Sequence, residues 1–234
     1  MNSETCIELA ELTKGLGIAE SLRLLCDRYR NRVAFSSSLG EEDQLLTHII
    51  AGESLDVRVF TLDTGRLFPE SYELLQLTRS KYKLNIETFF PNAASVEALV
   101  NAKGPMSFYN SVENRKECCR IRKVEPLKRA LEGVQIWVTG LRAAQSESRS
   151  EIAAFEWDSG FNLIKFNPLR DWSLEEVKNT LDLWKVPRNS LHAKGFVSIG
   201  CAPCTRAILP GEEPRSGRWW WEESKKECGL HNSN

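Results

Sequence analysis

Arg32-Val33-Ala34-Phe35-Ser36-Ser37-Ser38-Leu39-Gly40-Glu41-Glu42-Asp43 is the stretch on which the fold turns. Arg32 to Ser36 reads as a short buried strand, and Ser37 to Gly40 as a loop. From Glu41 to about Ala51 the spacing of Leu45, Leu46, Ile49 and Ile50 predicts a helix with one apolar face. The same strand, loop and helix cadence repeats outward. Asp56 to Leu62 is a second strand ending in Asp63-Thr64-Gly65, and Pro69 opens a helix to about Tyr82. Ile86 to Phe90 is a third strand. Residues 111–132 read as mostly helical with a break at Pro126, and Gln135 to Leu141 is a fourth strand. Residues 151–168 add strands, and Ser173-Leu174-Glu175-Glu176 is a capping box opening a helix to about Trp184. Residues 4–30 show helical periodicity through Leu9, Leu12, Leu16, Leu22 and Leu25. Strands alternating with helices of this length predict an α/β fold, a mostly parallel twisted sheet with helices on both faces. The organisation expected is an N-terminal helical segment over 1–30, an α/β domain over 31–194, and a C-terminal segment over 195–234 that ends in a mobile tail.

The composition fits such a domain. The chain has 234 residues, 41% hydrophobic and 27% charged, which describes a globular protein with a sizeable core and not a disordered one. Its net charge is −1, which argues against a dedicated nucleic-acid binder. No apolar run approaches the roughly 20 residues that span a bilayer. The start, Met1-Asn2-Ser3-Glu4-Thr5, lacks the basic and apolar character of a signal peptide. The expected compartment is the reducing cytoplasm. There, seven cysteines, far below the roughly 8–10% of disulfide-stapled scaffolds, point to metal or catalysis.

Ligands of open α/β sheets bind outside the carboxyl ends of the strands. Two loops lie at such ends, Ser36 to Asp43 and Thr61 to Arg66. The first offers hydroxyls and backbone N–H groups at a helix N-terminus, which suits an anion. The plainer alternative is that Ser38 caps the helix and Gly40 makes a turn. It is not a Walker loop, because the Gly-Lys-Ser/Thr ending is absent. Residues 115–149 carry nine positive side chains, among them Arg122, Lys123, Arg142 and Arg149, against four glutamates. In a chain of net −1 this asymmetry favours an anionic small molecule.

The cysteines form two close pairs, Cys118-Cys119 and Cys201-Ala202-Pro203-Cys204, plus Cys6, Cys26 and Cys228. Two pairs far apart in sequence are what a four-thiolate site needs. Adjacent residues point about 100° apart on a helix and to opposite faces on a strand, so Cys118 and Cys119 reach one tetrahedral zinc awkwardly. They more easily ligate two irons of a cubane, which favours a 4Fe-4S cluster on Cys118, Cys119, Cys201 and Cys204. Zinc and metal-free buried thiols are the alternatives. Cys6 and Cys26 read as ordinary thiols. Cys228 sits in a polar stretch beside Lys225, Lys226 and His231. It is either a harmless exposed cysteine or a thiolate favoured by those cations. A covalent intermediate on it would need an external dithiol for release.

Taken together, Ser36 to Asp43, Leu62-Asp63-Thr64-Gly65-Arg66, Cys118-Cys119-x-Ile121-Arg122-Lys123-x-Glu125-Pro126-Leu127, Cys201-x-x-Cys204, Arg218-Trp219-Trp220-Trp221 and Glu227-Cys228-Gly229-Leu230-His231 carry a resemblance. The chain resembles the sulfonucleotide reductases, and within them the iron–sulfur, thioredoxin-dependent adenylyl-sulfate reductases. The resemblance implies an adenine nucleotide alpha hydrolase-like fold with adenosine 5'-phosphosulfate (APS) at the carboxyl edge of the sheet. It implies that Cys228 attacks the sulfate sulfur, displaces AMP and forms an S-sulfonate, from which thioredoxin or a glutaredoxin-like dithiol releases sulfite. Lys123, Arg149, Arg215 and Arg218 would bind the phosphosulfate, and His231 would lie close to it. Ser36, Ser38, Gly40, Asp43 and Leu62 are the further substrate-binding positions implied. A homo-oligomer is implied as well, with neither nucleic acid nor membrane as a partner. Related ATP pyrophosphatases carry Ser-Gly-Gly-x-Asp-Ser where this chain has Ser38-Leu39-Gly40-Glu41-Glu42-Asp43, which disfavours ATP. Reductases of the 3'-phosphorylated nucleotide (PAPS) generally lack both cysteine pairs, so the pairs favour APS, with PAPS or dual use as the alternative. A non-enzymatic iron–sulfur redox sensor is the remaining reading.

Overall fold

The structure is a computed structural model, and it describes residues 2–145 and 149–222. The chain divides into two compact units. The first comprises the described residues of Met1–Thr61, Glu73–Glu87 and Leu131–Asn189; the second comprises those of Leu62–Tyr72, Thr88–Ala130 and Ser190–Asn234.

Six strands form one sheet: β1 (Val33–Ser36), β2 (Arg58–Leu62), β3 (Ile86–Phe89), β4 (Ile136–Val138), β5 (Phe155–Asp158) and β6 (Leu163–Phe166), in the order β3-β2-β1-β4-β6-β5. β1 runs parallel to β2 and β4, and β4 parallel to β6; only β5 pairs antiparallel, with β6. The chain steps outward from β1 to β3, then returns across β1 to β4. The strand order therefore reverses between β1 and β4, where the register pairs Val33 with Ile136 and Phe35 with Val138. That reversal places a ligand crevice outside the carboxyl ends of β1 and β4.

The core of the first unit joins Val33 and Phe35 of β1 and Ile136 and Val138 of β4 to apolar faces of the helices. These are α1 (Ser3–Leu12), α2 (Ile18–Arg28), α3 (Glu41–Gly52) and α8 (Leu174–Leu183). Central strands buried on both faces are why Val33-Ala34-Phe35 reads as a continuous apolar run. The periodic stretch 4–30 is two helices, because Gly15 takes a φ of 79° and Gly17 begins the second. The capping box is formed as expected: Glu176 N–H donates to Ser173 Oγ at 3.1 Å, and Ser173 N–H donates to Glu176 Oε2 at 2.7 Å.

α4 (Pro69–Tyr82) begins at the expected proline. The second unit contains α5 (Ala93–Lys103), which the periodicity did not signal, α6 (Val112–Cys119) and α7 (Glu125–Ala130). The expected break at Pro126 is absent. Instead residues Arg120–Val124 form one wide π-helical turn between α6 and α7, with Glu125 N–H donating to Arg120 O five residues back. A proline in an α-helix clashes with the carbonyl four residues earlier, and widening the preceding turn moves that carbonyl away. Among the described residues no helix is long and apolar enough to cross a membrane.

Candidate active site

In the first unit, β1 ends at Ser36, whose Oγ accepts a hydrogen bond from Trp137 Nε1 at 2.8 Å. Leu39 then takes a left-handed φ of 62°, and Gly40, not Ser38, is the N-cap of α3. Ser38 turns its backbone N–H and its hydroxyl onto Asp43 Oδ2, both at 2.6 Å. Asp43 is buried, and burial pushes its carboxyl up to about 6, against the lowering effect of the two Ser38 bonds; Glu42 raises it further and Arg149 pulls it down. Gly140, just beyond β4, is required by this carboxylate, because a Cβ there would lie 2.2 Å from Asp43 Oδ1. The first turn of α3 carries three acids that already complement its dipole. An anion held here must rely on Arg149 and on groups of the turn left over by these internal bonds. Glu42 Oε1 accepts from Arg142 Nε at 2.8 Å and from Gln145 Nε2 at 2.9 Å, and Gln145 Oε1 accepts from Arg149.

The second unit begins at Leu62, half-buried at the end of β2. Gly65 N–H donates to Asp63 Oδ1 at 2.7 Å, and Gly65 adopts a φ of 70°. This turn meets the cysteines directly. Thr64 Oγ1 lies 3.2 Å from Cys201 Sγ, Arg122 donates to Thr64 O at 2.7 Å, and Ala202 N–H donates to Arg66 O at 2.8 Å. Cys201 and Cys204 are buried in one apolar cluster with Phe108 and Trp219, with Cys118, Cys119, Tyr109 and Trp221 packed against it. Tyr109 donates to Pro203 O at 2.6 Å, so the Cys-x-x-Cys knuckle is held from both sides. Arg206 N–H donates to Gly217 O, and Trp219 N–H donates to Cys204 O at 3.2 Å from a strained left-handed φ of 41°.

Cations surround these thiols. Burial pushes the Cys204 thiol up to about 12, Cys201 adds to the rise, and Lys123 and Arg218 oppose it. Burial likewise raises Cys118, against Arg122 and Arg66. The wide turn directly after Cys119 carries Arg122 and Lys123, so two of the cations follow within five residues of the adjacent cysteines at the end of α6. Arg218 is buried, its guanidinium 4.9 Å from the Trp219 ring centre and directed at Ser198 Oγ and Ile199 O. Arg215 is half-buried in the loop leading to it. Arg115 and Glu222 form a buried ion pair, Nη2 to Oε2 at 2.9 Å and Nε to Oε1 at 3.0 Å, with Arg115 over Trp219 at 4.6 Å. Burial alone would lower the Arg115 pKa, and Glu222 together with Cys119 more than reverses that.

The structure thus places Ser36, Ser38, Gly40, Asp43 and Arg149 in the first unit. It places Leu62, Lys123, Arg215, Arg218 and all four paired cysteines in the second. Cys228 and His231 lie outside the described residues. Sequence reasoning missed Thr64, Arg66, Arg115 and Glu222 as neighbours of the thiols, and Glu42 and Gln145 as partners of the arginines. Thr64, Arg66 and Glu42 sat in loops already singled out and Arg115 in the basic stretch, so a signal was present for them; Gln145 and Glu222 carried none as partners of arginine.

The donor set fits an iron–sulfur cluster. All four sulfurs are free thiols in one unit, and Arg122 and Arg218 each bury an Nε–H with no partner among the described residues. Unpaired buried guanidinium edges beside thiols suit a negatively charged group. No three His, Cys, Asp or Glu side chains among the described residues converge where a single metal ion could sit. A cubane holds its four thiolates at separate corners and does not need that convergence.

Residues 32–207 match the phosphoadenosine phosphosulfate reductase domain. The chain belongs to that family. The matched stretch runs from β1 through the Cys201-x-x-Cys204 knuckle and ends before Arg215, Arg218, Trp219 and Glu222; the chain is an enzyme, an oxidoreductase. It is 50% identical over 220 residues to the adenosine 5'-phosphosulfate reductase of Allochromatium vinosum, covering 94% of this chain and 86% of that one. It is 50% identical over 202 residues to the protein of that name from Burkholderia cepacia, covering 86% and 81%. A phosphoadenylyl-sulfate reductase structure from Candida auris, in complex with phosphate, shares the reductase fold at a TM-score of 0.74. It is 23% identical and covers 89% of this chain and 98% of that one.

Proposed function

We propose that this reductase converts adenosine 5'-phosphosulfate to sulfite and AMP, with reduced thioredoxin as the electron donor, in sulfate assimilation leading to cysteine in the cytoplasm. The observation that carries the reading is the buried double pair of thiols set among Arg66, Arg122, Lys123 and Arg218. The names of the half-identical relatives supply the substrate.

Lys123, Arg149, Arg215 and Arg218 take the negative oxygens of the phosphosulfate, and Ser36, Ser38, Gly40, Asp43 and Leu62 are the further substrate-binding positions. The Cys228 thiolate attacks that sulfur; a bond from Sγ forms, the bond to the phosphate oxygen breaks, and AMP leaves with the electron pair. Negative oxygens repel an incoming thiolate, and fixed guanidinium and ammonium groups reduce that repulsion and stabilise the leaving phosphate. A thioredoxin thiolate then attacks Cys228 Sγ and releases sulfite. Its second thiol resolves the mixed disulfide, so the two electrons come from the dithiol. His231 is assigned to the same step, as the second side chain of the Cys228-Gly229-Leu230-His231 motif that would act on the substrate. Cys118, Cys119, Cys201 and Cys204 would hold a four-iron cluster, which when bound supplies a fixed field that polarises the site.

Incubation of the protein with APS is expected to add a sulfonate-sized mass to Cys228, lost on addition of reduced thioredoxin. Cys228→Ser is expected to abolish sulfite release while leaving the visible absorbance of the cluster intact. Full sulfite production by Cys228→Ser would overturn the mechanism. PAPS turnover is a second reading, favoured by the family's description, and the ratio of rates on the two nucleotides decides it.

A further inference from the structure

A buried ion pair that the proposed chemistry leaves unused lies against the cysteines. Arg115 and Glu222 have side-chain exposures of 2% and 4%, and their contact is bidentate, through Nε and Nη2. Arg115 stands on α6 four residues before Cys119, so the two side chains share one face of that helix. Its guanidinium hydrogen-bonds Cys119 as well as Glu222. A guanidinium has no acceptor, so in that bond it is the donor and the sulfur accepts. Cys118 has different neighbours: Arg122, which donates to it, and Arg66 and Cys201. Neighbouring residues on a helix point about 100° apart, and here each sulfur of the adjacent pair has an arginine of its own. Arg115 is braced further by the Trp219 ring, 4.6 Å from its guanidinium, and Trp219 N–H reaches Cys204 O at 3.2 Å.

Resting on the assignment of the four paired cysteines to an iron–sulfur cluster, we propose that Arg115 is a positioning residue for Cys119: fixed by Glu222, it donates to the Cys119 sulfur and orients it as a cluster ligand. Groups that hydrogen-bond a metal ligand fix its direction, and donors to the sulfurs of a cluster adjust the strength of its iron–sulfur bonds. The planar fork of arginine suits this task, because one edge can be locked on a carboxylate while another N–H is aimed elsewhere. Arg122 and Arg218 differ from Arg115. Each buries an Nε–H with no partner among the described residues, which suits a negatively charged group. The charge of Arg115 is balanced by Glu222, so its contribution is the direction of a donor and not a net positive field. The pair also ties the Cys118-Cys119 end of α6 to the chain beyond the Cys201-x-x-Cys204 knuckle, so both halves of the thiol set share one buried brace.

The test is resonance Raman spectroscopy of the cluster-loaded full chain in H2O and in D2O, with iron release to a chelator followed alongside. An N–H donor on a ligating sulfur makes the iron–sulfur stretches sensitive to deuterium, which a packing role would not do. Arg115→Met combined with Glu222→Met removes both charges together, a change that buried pairs often tolerate without loss of stability. This double variant is expected to show a smaller deuterium shift than wild type and to release iron on the order of tenfold faster. Arg115→Lys keeps a cation opposite Glu222 but lacks the fork, and the same two changes are expected of it; it decides the matter if the double variant does not fold. A wild-type deuterium shift in either variant would overturn the proposal whatever the rate of iron release, and so would a wild-type spectrum indifferent to D2O. Absence of iron–sulfur bands from the wild-type protein would instead remove the cluster assignment, and this proposal with it.

Discussion

The turn after β1 and the cysteine region each bury ionisable groups, and they surround them differently. Asp43 is surrounded by directed hydrogen bonds. Ser38 gives it two donors from within five residues, and the sheet beside it supplies regular backbone pairing. The thiols are set among aromatic rings, cations and the Thr64 hydroxyl, in a region made of a wide helical turn, a short knuckle and a left-handed tryptophan. The first region inherits its geometry from the scaffold. The second is held by its own side chains, so removing any one of them should be felt more strongly there.

The sharpest way to break this contrast is Cys204→Ser. Loss of the visible absorbance and of bound iron is expected, while amide exchange in β1 and β4 of the first unit stays slow. Equal loss of protection in both places would show that the regions are not held independently. Next comes Glu222→Gln, which leaves the buried Arg115 guanidinium uncompensated. Removing one partner of a buried pair costs about 3–5 kcal/mol, and urea unfolding monitored by tryptophan fluorescence should show it. A loss below about 1 kcal/mol would demote the pair to an ordinary surface contact.

Asp43 offers a test of the first region. Its carboxyl is raised from 3.8 to about 6 in the folded protein, so between those values the folded state holds the proton that the unfolded state has lost. Stability contributed by the protonated form is present in full below pH ~4 and falls as pH rises through 6, by an amount on the order of 3 kcal/mol. Asp43→Asn is expected to lose that slope in denaturant titrations between pH 4 and 7; an unchanged slope would mean another group titrates. The smallest effect is expected from Ser173→Ala, which opens the capping box of α8. A Tm lower by about 2–4 °C with an unchanged rate of sulfite release is the outcome expected of a helix cap remote from the chemistry.

Legibility followed the same division. β1, α3, β2, α4 and the capped α8 were readable because each is announced by local periodicity, a proline or a capping pair. α5 was not, because Ala93–Lys103 buries only Leu99 and so shows no apolar stripe. The expected break at Pro126 failed for a definite reason: the helix accommodates the proline by widening the turn before it.

The sequence by itself determined the alternation of strands and helices and the pairing of the thiols, because both are written in spacings of a few residues. Only the tertiary structure decided that Thr64, Arg122 and Arg218 surround the sulfurs, that Arg115 finds Glu222, and that Gln145 stands between Arg149 and Glu42. Those partners lie between four and more than a hundred positions apart. No local propensity encodes such contacts; they follow from which polar groups, once buried together, can satisfy one another.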